Sequence, residues 1–217
     1  MKIFKLFTPE EAKKIYAALA AQSFVDGKAT AHGAAKDKKK NMQLSTSNKL
    51  VKGIAEGIQQ KFISNTHLRT YCFPQEFVGI RANSYEVGEH YDWHVDMGVM
   101  GTTRTDMSFT IFLTPKEDYE GGTLEMDFGT HKVAVKCDPG QVVVYPTGVL
   151  HRVTPVTSGR RLCVIGWIKS NVPSAEDREA LFTLAAEISR IKVEYKLEST
   201  DKLSFVMQHM IRALSRA

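Results

Sequence analysis

Cysteine is scarce in this 217-residue chain: Cys72, Cys137 and Cys163 are odd in number, far apart, and in no C-x-x-C pair. That excludes a disulfide framework and a Cys-rich zinc site, and it fits reduced thiols in the cytoplasm. Long apolar runs are missing as well, so no membrane span is expected. Nor is a secretory leader expected: Lys5 interrupts the apolar start MKIFKLF, and Thr8-Pro9-Glu10-Glu11 reads as a helix N-cap with proline at the first helical position. With 43% hydrophobic and 24% charged residues the composition has no extreme, which removes the disordered, collagen-like and membrane classes. The formal net charge of +5 admits an anionic ligand or nucleic acid without selecting either.

What is present is enough chain for one substantial core. A first helix is expected from about Pro9 to Gln22, then a polar loop in which the basic cluster Lys36 to Lys40 reads as solvated. A second helix, roughly Ser47 to Ser64, carries Leu50, Ile54, Ile58 and Phe62 at helical spacing. Between about Thr70 and Lys169 the character changes to short runs rich in β-branched and aromatic residues, among them FVGIRANSYE, MSFTIFLT, QVVVYP and RRLCVIGWI. Seven or eight such strands predict a sandwich or barrel of the jelly-roll kind, with the chemistry inside it. After Pro173 a helix capped at Ser174 is expected, then a last helix with Leu203, Val206, Met207, Met210, Ile211 and Leu214 on one stripe. That stripe reads as core or as a homodimer surface rather than a ligand site. The expected organisation is therefore α+β: an N-terminal helical support over 1–69, a jelly-roll core over 70–170, and a C-terminal helical extension over 171–217.

The stretch YDWHVDMG, residues 91–98, places His94 and Asp96 two residues apart on a segment that looks like a strand. Side chains at i and i+2 share a face about 7 Å apart, so two metal-ligand types converge. A third ligand has to come from a distant strand, and with seven histidines the choice is narrow. His32 and His67 have loop or helical context, His90 lies four residues before His94, His131 sits in a turn, and His209 is on the last helix. His151 remains, following QVVVYP and a short loop at the entry to another strand. Two histidines and one carboxylate form a facial triad on ferrous iron, leaving three positions for a bidentate co-substrate and dioxygen. A 2-oxoacid would compensate the residual charge, and a dicarboxylate would need a further cation. HRVTPVTSGRR offers two: a two-residue turn at Ser158-Gly159 puts Arg160 on the His151 face, and a three-residue loop with a bulged Gly159 puts Arg161 there. The strand beyond does not decide, because Leu162/Val164 and Cys163/Ile165/Trp167 are both apolar rows.

The set Tyr85, Gly88, Tyr91, His94-Val95-Asp96, Glu120-Gly121-Gly122-Thr123-Leu124, Pro139-Gly140 before VVVYP, then His151 through Arg161 and Trp167 resembles the prolyl-4-hydroxylase-like Fe(II)/2-oxoglutarate dioxygenases. It is most similar to the bacterial PKHD-type hydroxylases, and AAKDKKKNMQL and DREALFTLAAEI extend the likeness over most of the chain. The resemblance implies that His94, Asp96 and His151 bind Fe(2+), that Arg161 holds the distal carboxylate of 2-oxoglutarate, and that Tyr85 lies beside the co-substrate. It implies O2 as oxidant, succinate and CO2 as products, L-ascorbate as the reductant of iron oxidised in uncoupled turnovers, and a small-molecule or peptidyl substrate. Trp167 reads as barrel core.

Two other readings differ in class. Related nucleic-acid demethylases carry a second arginine six residues beyond the first, where this chain has Trp167, so nucleic acid is not the expected partner. A non-catalytic jelly-roll metal-binding or sensor module would have no use for Arg161 beside an open-sided metal. The loop GVMGTTRT, residues 98–105, is expected to act as a lid over the substrate mouth.

Overall fold

The structure, a computed structural model, describes residues 1–30 and 38–215. The N-terminal part comprises β1 (Lys2–Lys5), α1 (Pro9–Ala20), β2 (Val25–Asp26), β3 (Lys39–Lys40), β4 (Met42–Leu44), α2 (Lys49–Ser64) and α3 (Thr66–Cys72). The central part runs through β5 (Pro74–Tyr85), β6 (His90–His94), β7 (Val99–Met100), β8 (Thr103–Arg104), β9 (Met107–Phe112), β10 (Tyr119–Gly121), β11 (Leu124–Asp127) and β12 (Lys132–Val135). It continues with β13 (Gln141–Pro146), β14 (Leu150–Val153), β15 (Val156–Gly159) and β16 (Arg161–Ser170), followed by α4 (Ala175–Glu194) and α5 (Asp201–Leu214).

The helices begin where the sequence supplies caps. Thr8 and Glu11 close a reciprocal capping box at the start of α1, and Asn48 accepts from the backbone N–H groups of Leu50 and Val51 at the start of α2. Ser174 accepts from Asp177 N–H at the start of α4. The first 69 residues supply strands as well as helices, since β1, β2 and β4 join the large sheet and β3 the smaller one.

The large antiparallel sheet has the order β1-β13-β9-β16-β5-β4-β2, and the smaller one β12-β11-β14-β6-β3. Alternation divides the large sheet into two faces. Val142, Val144, Phe109, Ile111, Leu162, Val164 and Ile168 pack with Ile58 and Phe62 of α2 and Leu68 of α3 in one cluster. Val143, Tyr145, Phe112, Tyr85 and Cys163 face the other way and pack with Leu124, Met126, Val135 and Val153 of the smaller sheet. Both rows of β16 are apolar for that reason: one lies under helices and the other lies inside the double-sheet barrel.

Two expectations need correction. Lys39 and Lys40 are not part of a solvated loop: they form β3, which pairs with β6 through Lys39↔Tyr91 and Lys40↔His90, and Lys39 is buried. Lys36 lies outside the described residues. Second, HRVTPVTSGRR does not fold back as a hairpin. After β14 the chain forms β15 against β10, then crosses to the large sheet at Arg160. Gly159 has φ 71°, and a Cβ there would come within 2.1 Å of the Asp118 carbonyl oxygen, so the crossing demands glycine.

Candidate active site

β14 and β6 pair with His151 directly opposite His94, so the two imidazoles come from neighbouring strands at one barrel mouth. Asp96 lies just beyond the end of β6. One ligand atom from each of His94, Asp96 and His151 falls within 4.8 Å of the others. His94 Nε2 is 3.8 Å from Asp96 Oδ1, and His151 Nε2 is 3.7 Å from Asp96 Oδ2.

The surroundings fix the orientation of each group. His94 Nδ1 lies 2.8 Å from the Asp92 carbonyl oxygen and His151 Nδ1 2.9 Å from that of Val149. With Nδ1–H donating to a carbonyl, each ring presents its Nε2 lone pair to the centre. The Tyr91 ring stacks on His94 at 3.5 Å between centroids. Burial, then the neighbouring His151, pushes His94 down to about 4, which keeps it neutral and able to ligate. Asp96 Oδ2 accepts from Ser108 Oγ at 2.7 Å and from the Trp167 indole N–H at 2.9 Å. Trp167 is therefore more than barrel core. Its side-chain parity, shared with Arg161, Cys163 and Ile165, was the sequence signal that could have placed it at the site.

A cavity of about 520 Å3 opens on this cluster and reaches Tyr85 and Arg161 at one end and Arg81 and Trp167 at the other. Arg161 is 2% exposed, its side chain donating from Nη1 to Cys163 Sγ and lying against the Tyr85 and Phe112 rings. Its buried Nε has no partner, and among the described residues no carboxylate comes within ion-pairing distance of it. Gly122 makes room for it: with φ 57°, a Cβ there would lie 3.0 Å from Arg161 Cδ. Arg160 points the other way, donating from Nε to Ser84 Oγ, with its guanidinium over Phe24.

The segment 98–105 forms a β7–β8 hairpin whose base is closed by Thr105, which donates from its backbone N–H to the Gly98 carbonyl and from its hydroxyl to that of Met97. Met100 and Gly101 of this hairpin line the cavity.

A jelly-roll barrel with two histidines and a carboxylate at its mouth defines a class, and comparison with known proteins gives the same one. Residues 80–169 match the family model of the 2OG-Fe(II) oxygenase superfamily. The chain is 37% identical over 219 residues to a PKHD-type hydroxylase of Alteromonas mediterranea, covering 97% of each protein. It is 35% identical to one of Idiomarina loihiensis, covering 99% of this chain and 98% of that one. Among solved structures a Pseudomonas putida prolyl-4-hydroxylase superposes with a TM-score of 0.55 at 16% identity, over 78% of this chain and 91% of that one. A viral collagen prolyl hydroxylase from Paramecium Bursaria Chlorella virus-1 gives 0.55 at 18% identity, over 78% and 95%.

The chain belongs to the PKHD-type hydroxylases. It is an Fe(II)- and 2-oxoglutarate-dependent dioxygenase that hydroxylates an unactivated C–H bond with release of succinate and CO2. Among the described residues no helix is long and apolar enough to cross a membrane.

Proposed function

We propose that His94, Asp96 and His151 are the iron ligands, that Arg161 binds the distal carboxylate of 2-oxoglutarate, and that Tyr85 walls the co-substrate site. The observation that carries this reading is the pairing of an open-sided His-Asp-His cluster with a fully buried arginine in one cavity, with no carboxylate among the described residues within ion-pairing distance of that arginine. A buried guanidinium without a counter-ion is costly, and a dianionic co-substrate offsets that cost. The donor set suits ferrous iron: two neutral imidazoles and one carboxylate leave one formal positive charge and one open face.

Each residue then has a defined task. His94 and His151 present Nε2, oriented by the Asp92 and Val149 carbonyls. Asp96 offsets one metal charge and is held in place by Ser108 and Trp167. Arg161 fixes the far end of the co-substrate and so selects a five-carbon diacid over shorter 2-oxoacids. Leu124, Val153 and Ile165 line the cavity with apolar surface that excludes water from the reacting centre. Iron and 2-oxoglutarate, when bound, would activate dioxygen, the oxidant for the hydroxylation.

The substrate class in this proposal is amino-acid-like, peptidyl or another small molecule, and L-ascorbate serves to re-reduce iron. A cytoplasmic location accords with three buried free thiols. A homodimer through α5 accords with its exposed apolar side chains Leu203, Phe205 and Val206. The test is succinate release by the iron-loaded protein from 2-oxoglutarate against peptides, free amino acids and oligonucleotides. The expected result is release coupled to an amino-acid or peptide substrate. Coupling to an oligonucleotide alone would overturn the substrate reading, and absence of 2-oxoglutarate turnover would overturn the assignment of the site.

A further inference from the structure

The co-substrate end of the cavity does not account for its other end. There Arg81 of β5 and Lys39 of β3 line the same space as His94 and Asp96. Each cation lies on an aromatic ring that itself touches a proposed iron ligand. The Arg81 guanidinium sits 5.3 Å from the Trp167 ring, whose N–H donates to Asp96. Lys39 Nζ sits 5.4 Å from the Tyr91 ring, which stacks on His94. Arg81 donates from Nε to the Gly79 carbonyl, and Lys39 Nζ donates to Gln43 Oε1 at 3.2 Å. Among the described residues no carboxylate lies within ion-pairing distance of Arg81.

Arg81 is not placed to share the co-substrate with Arg161. Arg161 pairs with Tyr85 and Ile165 with Arg81 along the β16–β5 ladder, so the two arginines stand four residues apart, about 13 Å along the strands. Their side chains also serve different neighbours: Arg161 meets Cys163, Tyr85 and Phe112, while Arg81 turns back to Gly79 and Trp167. A five-carbon diacid spans at most roughly 6 Å between its terminal carbons, from four C–C bonds of about 1.5 Å.

The charges point the same way. Ferrous iron with Asp96 leaves one positive charge, 2-oxoglutarate brings two negative charges, and Arg161 brings one positive charge. That set is neutral without Arg81 or Lys39, so a loaded site retains positive charge beside the metal on the Asp96 side. Burial lowers Arg81 from its ordinary value, and burial, then Arg81, brings Lys39 down to about 8, as expected for two cations sharing a partly enclosed space.

Resting on the function proposed above, we infer that Arg81, with Lys39 beside it, is the substrate's anion subsite, and that the molecule hydroxylated is a small carboxylate-bearing compound docked there by its carboxylate. Val95 and Met97, half-exposed at the rim, offer apolar surface for the rest of that molecule.

The experiment uses wild-type, Arg81→Gln, Arg81→Lys and Lys39→Met proteins loaded anaerobically with ferrous iron and saturating 2-oxoglutarate, followed by the chelate absorption. The probes are free L-amino acids and short monocarboxylates, each paired with its primary amide, and methyl phosphate. All four proteins are expected to form the chelate with 2-oxoglutarate constants within about twofold of one another, because Arg161 is intact. In wild type at least one carboxylate should perturb the band saturably, with its amide and methyl phosphate weaker by about tenfold or more, and Arg81→Gln should weaken that carboxylate by about tenfold or more. Arg81→Lys should retain part of the effect. Equal response to acid and amide, a stronger response to methyl phosphate, a response unchanged in Arg81→Gln, or no saturable response would overturn the subsite. Loss of the 2-oxoglutarate chelate in Arg81→Gln would instead assign Arg81 to the co-substrate. Failure of wild type to form any chelate would defeat the underlying assignment of iron and 2-oxoglutarate, a result distinguishable from failure of the subsite alone.

Discussion

The two faces of the large sheet are made by the same strands and do different work. On β16, Leu162, Val164 and Ile168 are buried under helices, whereas Arg161, Cys163, Ile165 and Trp167 face the barrel. On β5, Ile80 and Ala82 join the helix-facing cluster, while Arg81, Asn83 and Tyr85 face the cavity. The helix-facing rows are mostly apolar, with Ser84 and Ser170 as buried exceptions, and bring stability. The barrel-facing rows mix charge, aromatic rings and hydroxyls, as the proposed site requires: on that reading they position Asp96 and receive two anions while excluding water. A fully apolar second face would pack as well and catalyse nothing.

Substitutions sharpen that contrast, beginning with the largest effect. Asp96→Ala removes one of the three proposed ligands and should abolish succinate release while circular dichroism shows an intact fold; wild-type iron affinity in that variant would break the assignment. Arg161→Ala should raise the 2-oxoglutarate constant on the order of a hundredfold or more, because it strips the partner from an enclosed carboxylate. Arg160→Ala, one residue away on the opposite side, should shift the constant only a few fold.

Trp167→Phe keeps the ring and deletes the N–H that holds Asp96. It should weaken iron binding by roughly tenfold to a hundredfold, measured by competition with a chromophoric chelator. On the helix face, Leu162→Ala should cost about 2–5 kcal/mol in urea unfolding, yet leave the 2-oxoglutarate constant per folded molecule at its wild-type value. A large change in that constant would mean the faces are not independent.

The pH dependence follows from His94. Its folded value, about 4, lies below the ordinary 6.5. Between those values the unfolded chain binds more protons, so stability rises with pH across the window and is lost as pH falls from about 6.5 towards 4. The metal-free protein should show its urea midpoint falling over that range, and iron release should follow the same limb, since a protonated imidazole cannot ligate.

Much of the barrel was legible because half-buried strands announce themselves by period and β-branched content, and His94, Asp96 and His151 stood out because histidine is sparse. Other features were hidden for physical reasons. β3 is a pair of lysines, and its buried member, Lys39, packs on Tyr91 and donates to Gln43, residues distant or unremarkable in the sequence. Trp167 read as core because both rows of β16 are apolar, and only its parity with Arg161 marked it as facing the site. A hairpin that does not form left Arg160 and Arg161 as alternatives, and only the family resemblance pointed to Arg161. The chain crosses between sheets at that point, and only β10, which pairs with β15, shows why. Arg81 sat in the middle of an ordinary strand run, with nothing local to mark it.

The central claim is that the His94-Asp96-His151 cluster and Arg161 form one site for iron and 2-oxoglutarate. The most direct measurement is an anaerobic titration of ferrous iron, then 2-oxoglutarate, into wild-type and His94→Ala proteins, following the chelate absorption. The account predicts one iron and one 2-oxoglutarate per chain in wild type, with a saturable band, and no band in the variant. An unchanged band in His94→Ala, or its absence from iron-loaded wild type, would contradict it.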